Sequence, residues 1–69
     1  MEKVKINTDT IKLDQFIKYC GVAATGSEAK YMIKDGNILV NGVEERRRGR
    51  KLSKGDVVRA GNGLEYAVE

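Results

Sequence analysis

The sequence has no histidine, no proline and a single cysteine, Cys20. The missing histidine removes the side chain most used for acid–base chemistry at neutral pH and for binding metals. No CxxC pair, phosphate-cradling glycine loop or acidic cluster with metal-ligand spacing replaces it. The adjacent acids Glu44 and Glu45 would point to opposite faces of a strand. These absences leave no basis for an enzyme, a metal site or a cofactor. A lone thiol cannot form an internal disulfide, which fits a reducing, cytoplasmic compartment. Cys20 falls on the apolar side of a helical run with nothing nearby to activate it, so it reads as a core thiol. No apolar run nears the ~20 residues of a membrane span. The opening MEKVKINTDT also lacks the apolar centre of a signal peptide. The expectation is a soluble cytoplasmic protein with no membrane partner. Nothing marks a linker, a repeat or a low-complexity segment.

The 69 residues suffice for one small domain. VKI (4–6) alternates and reads as a strand. Leu13, Phe16, Ile17 and Cys20 recur at i, i+3, i+4 and i+7, which predicts a helix over 12–20 ended by Gly21, with Val22 packing after it. Thr25 and Glu28 have capping-box spacing and open a second helix over 26–35, with Ala29, Met32 and Ile33 inward and Gly36 at its end. ILV (38–40) and Asn41-Gly42 predict a hairpin, whose return strand runs from Val43 through the basic stretch to Leu52. SKGD (53–56) is a turn, VVRA (57–60) a strand and GNG (61–63) a tight turn. LEYAV is a last strand with Leu64, Tyr66 and Val68 on one face. The first and last strands can pair. The order β-α-α-β-β-β-β makes an α+β fold, two short helices packed on a small, mostly antiparallel sheet. Apolar residues sufficient for one small core predict a monomer.

What the chain does have is a concentration of arginine. Four of its five Arg lie in EERRRGRK (44–51), although the net charge is only +3. A patch, not a generally basic tail, follows from that distribution. Arg offers a planar fork that binds phosphate bidentately and stacks on bases. If 43–52 is a strand, Arg46 and Arg48 share one face and Arg47 takes the other; Arg50 and Lys51 complete the cluster. Packing like charges is costly, and a polyanion relieves it. Two helical stripes could join: Lys12, Gln15 and Tyr19 on the first helix, and Lys30, Tyr31 and Lys34 on the second. Each places an ammonium beside a ring that can stack on a base. Changing Arg46, Arg47, Arg48 and Arg50 to Ala is expected to keep the fold and lose most RNA affinity.

The segment KLDQFIKYCGVAATGSEAKYMIKDGNILVNG, with KLSKGDVV after it, resembles the RNA-binding domain named after the fourth protein of the small ribosomal subunit, the S-four domain or alpha-L motif. The resemblance rests on Lys12-Leu13-Asp14, Ala29, Val40-Asn41-Gly42 and Gly55-Asp56, and covers about 10–60. RRRGRKL and the small size are most similar to the stand-alone YaaA type. The resemblance implies a non-catalytic module for structured RNA, ribosomal RNA or tRNA, with the ribosome as a partner. It carries over Lys12, Lys30 and Asn41 as RNA contacts, and with the helical stripes and the arginine cluster the expected RNA surface comprises Lys12, Tyr19, Ser27, Lys30, Lys34, Asn41, Arg46, Arg47, Arg48, Arg50 and Lys51. Lys12 stands where the family has Arg, Thr25 where it has Ser, and Gly26 where it has a second Arg. More of the burden thereby falls on residues 46–51. Gly26 also leaves room for a phosphate at the start of the second helix. Two other readings compete. One is a protein-binding adaptor at the ribosome. The other is a ubiquitin-like sulfur carrier, which would need a Gly-Gly terminus where this sequence has Val68-Glu69.

Overall fold

The computed structural model describes all 69 residues. In chain order the elements are β1 (Glu2–Val4), β2 (Thr10–Lys12), α1 (Leu13–Tyr19), α2 (Gly26–Lys34), β3 (Leu39–Val40), β4 (Val43–Glu44), β5 (Lys51–Ser53), β6 (Val57–Arg59) and β7 (Glu65–Val68). Five strands form one sheet in the order β1-β7-β6-β3-β4, antiparallel except for the parallel pair β1–β7. β2 and β5 form a separate antiparallel ribbon. This is the expected α+β architecture, but the first strand lies at Glu2–Val4 instead of 4–6, and two other elements depart further.

The first departure is β2. Residues 10–12 carry no periodicity of their own and become a strand only because Lys51–Ser53 lies beside them. The second is the return strand of the hairpin. It stops at Glu44, and the chain resumes extended pairing only at Lys51, in the other ribbon. The basic stretch is therefore a loop with a turn at Arg48-Gly49, and the strand alternation expected of Arg46, Arg47 and Arg48 does not apply. Leu64 also departs from expectation. It precedes β7 and is 55% exposed, while Tyr66 and Val68 are buried as anticipated.

Both helices end as their glycines require. Gly21 and Gly36 have φ of 81° and 80°. Gly21 N–H donates to Lys18 O and Val22 N–H to Ile17 O; Gly36 N–H donates to Ile33 O and Asn37 N–H to Met32 O. These paired bonds satisfy carbonyls that a helix end leaves open. Thr25 Oγ1 accepts from Glu28 N–H at 3.1 Å, so the N-cap of α2 forms without a returning bond from the Glu28 side chain.

Leu13, Phe16 and Ile17 of α1 and Ala29 and Ile33 of α2 are buried against Ile38, Val40, Leu52, Val58, Tyr66 and Val68. Val40, Val58 and Tyr66 are cross-strand neighbours and form one inward row. The next row, Leu39, Arg59 and Glu65, faces the other way. Each large buried side chain contributes roughly 1.5–3 kcal/mol by leaving water. Helices of seven and nine residues need that packing to persist.

Candidate functional site

The loop between β4 and β5 is anchored by its backbone at both ends of its course. Glu45 N–H donates to Ile38 O at 3.0 Å. Further on, Arg50 O accepts from Leu13 N–H at 2.8 Å and Arg48 O from Asp14 N–H at 3.1 Å. These are the first two N–H groups of α1, whose N-cap Lys12 makes no side-chain cap. The loop thus caps the helix, and its carbonyls satisfy donors that would otherwise face water. At the other side Arg46 Nη1 reaches Lys34 O, at the C-terminus of α2, at 3.3 Å. Arg46 and Arg48 are two residues apart, so the end of α2 and the start of α1 lie at one end of the helix pair with the loop strapped across them.

Two acids organise the arginines. Glu45 is 7% exposed, the one charged residue in the interior. Its carboxylate accepts from Arg47 N–H (3.2 Å), Arg47 Nε (3.0 Å), Arg47 Nη2 (3.1 Å) and Arg50 Nη1 (3.2 Å). The Arg47 side-chain bonds, aided by its backbone N–H and charge and by Arg50, hold the Glu45 carboxyl at about 2 against the cost of burial. The same bonds raise the Arg47 pKa. Glu44 Oε1 accepts from Arg46 Nε at 2.7 Å, an exposed pair of small energetic worth. Three of the four clustered arginines are therefore already paired within the fold. Arg47 and Arg50 also have a structural duty, because removing both would strand a buried carboxylate. A quadruple Ala variant would leave Glu45 without its side-chain donors, which counts against the expectation that it keeps the fold.

Arg48 and Lys51 have no such partner. The β2–β5 ribbon, invisible in the sequence pattern, sets Lys51 directly opposite Lys12. Both are exposed, and opposed like charges repel. Ile11 and Leu52, the neighbouring pair, face the other side and pack on or in the core. Lys12, Arg48 and Lys51 so gather at the N-terminus of α1.

The outward face of α2 carries Ser27, Lys30, Tyr31 and Lys34 at i, i+3, i+4 and i+7, all exposed. Lys30 and Lys34 make no ion pair. Arg46 docks on the last residue of this stripe and joins it to the loop. Gly26 and Ser27 N–H groups find no acceptor in the protein, and a Cβ at Gly26 would meet nothing. Tyr31 and Tyr19 are each 61% exposed. Tyr19 sits at the far end of α1 from Lys12, its hydroxyl donating to Lys5 O at 3.3 Å.

Asn41 stands at the tip of the β3–β4 hairpin. It adopts φ of 53° beside Gly42 at 82°, the geometry of a tight hairpin turn. Its Nδ2 donates to Asp56 Oδ1 (3.0 Å) and its Oδ1 accepts from Val57 N–H (2.9 Å). Asp56 in turn accepts from Ser53 N–H, which together with Asn41 lowers its pKa. The Asn-Gly and Gly-Asp motifs are one clamp between the hairpin and the β5–β6 turn. Cys20 is half-buried, and burial, helped by Glu2, pushes its thiol to about 11, so it stays protonated. The signal that sequence reading missed is Glu44-Glu45 directly before the arginines, which are their internal partners.

A family model described as the S4 domain matches residues 4–69. The chain belongs to the S4 domain family. It is also similar to a protein of Bacillus subtilis (strain 168) described as "Probable ribosome maturation protein RlbA", at 44% identity over 55 residues, 80% of this chain and 78% of that protein. No helix of this S4 protein is long and apolar enough to cross a membrane, and no group of three or more potential metal ligands occurs.

Proposed function

We propose that this S4 domain is a non-catalytic binder of structured RNA, most specifically ribosomal RNA, acting at the ribosome in the cytoplasm. The observation that carries the reading is one exposed tract of five cations without internal partners. Lys30 and Lys34 lie on α2, and Arg48, Lys51 and Lys12 lie around the start of α1. Arg46 and Glu44 join the two groups. Phosphates suit such a tract, since Lys neutralises them as point charges and Arg grips them as a fork. Ser27 and the open N–H groups at the start of α2 extend it along the helix. Tyr31 offers a stacking face beside it. Family membership and the ribosome-related description of the Bacillus relative support ribosomal RNA over other polyanions.

The test is affinity for a ribosomal RNA fragment as a function of salt. Five neutralised phosphates predict a slope of log K against log[salt] of roughly −3.5 to −4.5. The K12A/R48A/K51A variant removes side chains that hold nothing in the fold. It should bind at least about tenfold more weakly, with a slope smaller by about 2 to 3. A wild-type protein that retains no RNA at low salt, or a folded triple variant that binds unchanged, overturns the reading.

A further inference from the structure

Beyond the loop and helices, the fold has a shallow recess of about 270 Å³ lined by Gly36, Asn37, Leu39, Arg59, Ala60, Gly61 and Gly63. Arg59 is the fifth arginine and the one outside the basic stretch. It is exposed and enters no ion pair, although Glu65 is its cross-strand neighbour. A Cβ on Gly63 would stand 3.9 Å from Arg59 Nη2, so the guanidinium lies along a wall that has no side chain. Asn37 also lines the recess, beside Gly61, and its side-chain amide makes no bond within the protein. Half-buried Leu39, the cross-strand neighbour of Arg59, supplies an apolar part of the lining. The recess adjoins the proposed RNA tract through Gly36, where a Cβ would come within 3.0 Å of both Arg46 Nη2 and the Glu44 carboxylate.

We propose that this recess receives one unstacked nucleotide of the bound RNA. The Arg59 guanidinium would stack on the base or grip its phosphate, the Asn37 amide would read a base edge, and Leu39 would cover part of the ring. The chemistry matches a flat, partly apolar, hydrogen-bonding group with an attached anion. A bare phosphate would use Arg59 and leave Leu39 and Asn37 idle. The inference rests on the RNA-binding reading and extends it to a second, base-contacting subsite.

The experiment is an amide-resolved NMR titration of the full chain with AMP and, at matched ionic strength, with inorganic phosphate. It is paired with affinity measurements on an RNA hairpin with and without a single-stranded extension. AMP should shift Asn37, Gly61 and Gly63 in a saturable way, phosphate should act more weakly and leave Asn37 unshifted, and R59A should abolish the response. R59A should also weaken binding of the extended hairpin about tenfold and leave the blunt hairpin unaffected. Wild-type binding to both RNAs with no AMP response and an unchanged R59A affinity overturns the subsite alone. Equal shifts from AMP and phosphate reduce it to an anion contact and also overturn it. Failure of the wild-type chain to bind either RNA instead strikes the RNA-binding reading.

Discussion

The Glu45 carboxylate takes four hydrogen bonds from two arginines, and its carboxyl titrates near 2 instead of its ordinary 4.5. A folded-state pKa lowered in this way stabilises the protein fully above the unfolded value. The contribution is lost as pH falls through the folded one. Thermal stability should accordingly hold from pH 7 to about 5 and then fall between 4.5 and about 2. E45Q should have a lower melting temperature at pH 7 and a shallower acid decline, the remaining slope belonging to Asp56, whose pKa is also lowered. Melting curves of both proteins across that range check this. The roles of Glu45 and Arg47 could not be read from the sequence. Burial of a charged side chain depends on a carbonyl at Ile38 and a helix start at Leu13, neither of which is local to it. The helix-ending glycines and the Asn-Gly turn were legible because their backbone demands are met within a few residues.

At the scale of elements, the β2–β5 ribbon holds the clearest conflict between stability and binding. Lys12 and Lys51 face each other with no acid between them. K51E should convert that repulsion to attraction and stabilise the folded chain by about 0.2–1 kcal/mol in urea denaturation. The same variant should bind RNA more weakly than wild type. A variant that gains neither stability nor loses affinity would show that the opposed lysines play no part. This ribbon was the element least visible beforehand. Three residues are too few for periodicity to register, and their partner lies some forty positions away. Helix α1 was readable to within a residue because its buried set repeats over two turns. The hairpin was readable at its tip but not at its end, since the strand stops where Glu45 turns inward rather than where any turn residue announces it.

For the molecule as a whole, stability is the small remainder of large terms, and a chain of 69 residues has little to spare. A ligand that binds only the folded form adds to that remainder by mass action. With RNA at about one hundred times its Kd the gain is about 2.7 kcal/mol, which for a domain of this size raises the melting temperature by roughly 10–20 °C. The shift should largely vanish in high salt, where the charged tract is screened. A shift of equal size at low and high salt would mean that binding does not run through the cations.

The basic loop is fastened to α1 by the carbonyls of Arg48 and Arg50, groups that every amino acid possesses. Its hold on the helix is therefore indifferent to what residue 48 is. Arg48 can be exchanged, lengthened, shortened or neutralised while the strap stays in place, and the cost appears only in what the surface recognises. Positions 47 and 50 lack that freedom, because Glu45 must have its donors. The loop is in this sense a fixed mount with an interchangeable tip, and a change of RNA target could be reached there by single substitutions without rebuilding the fold.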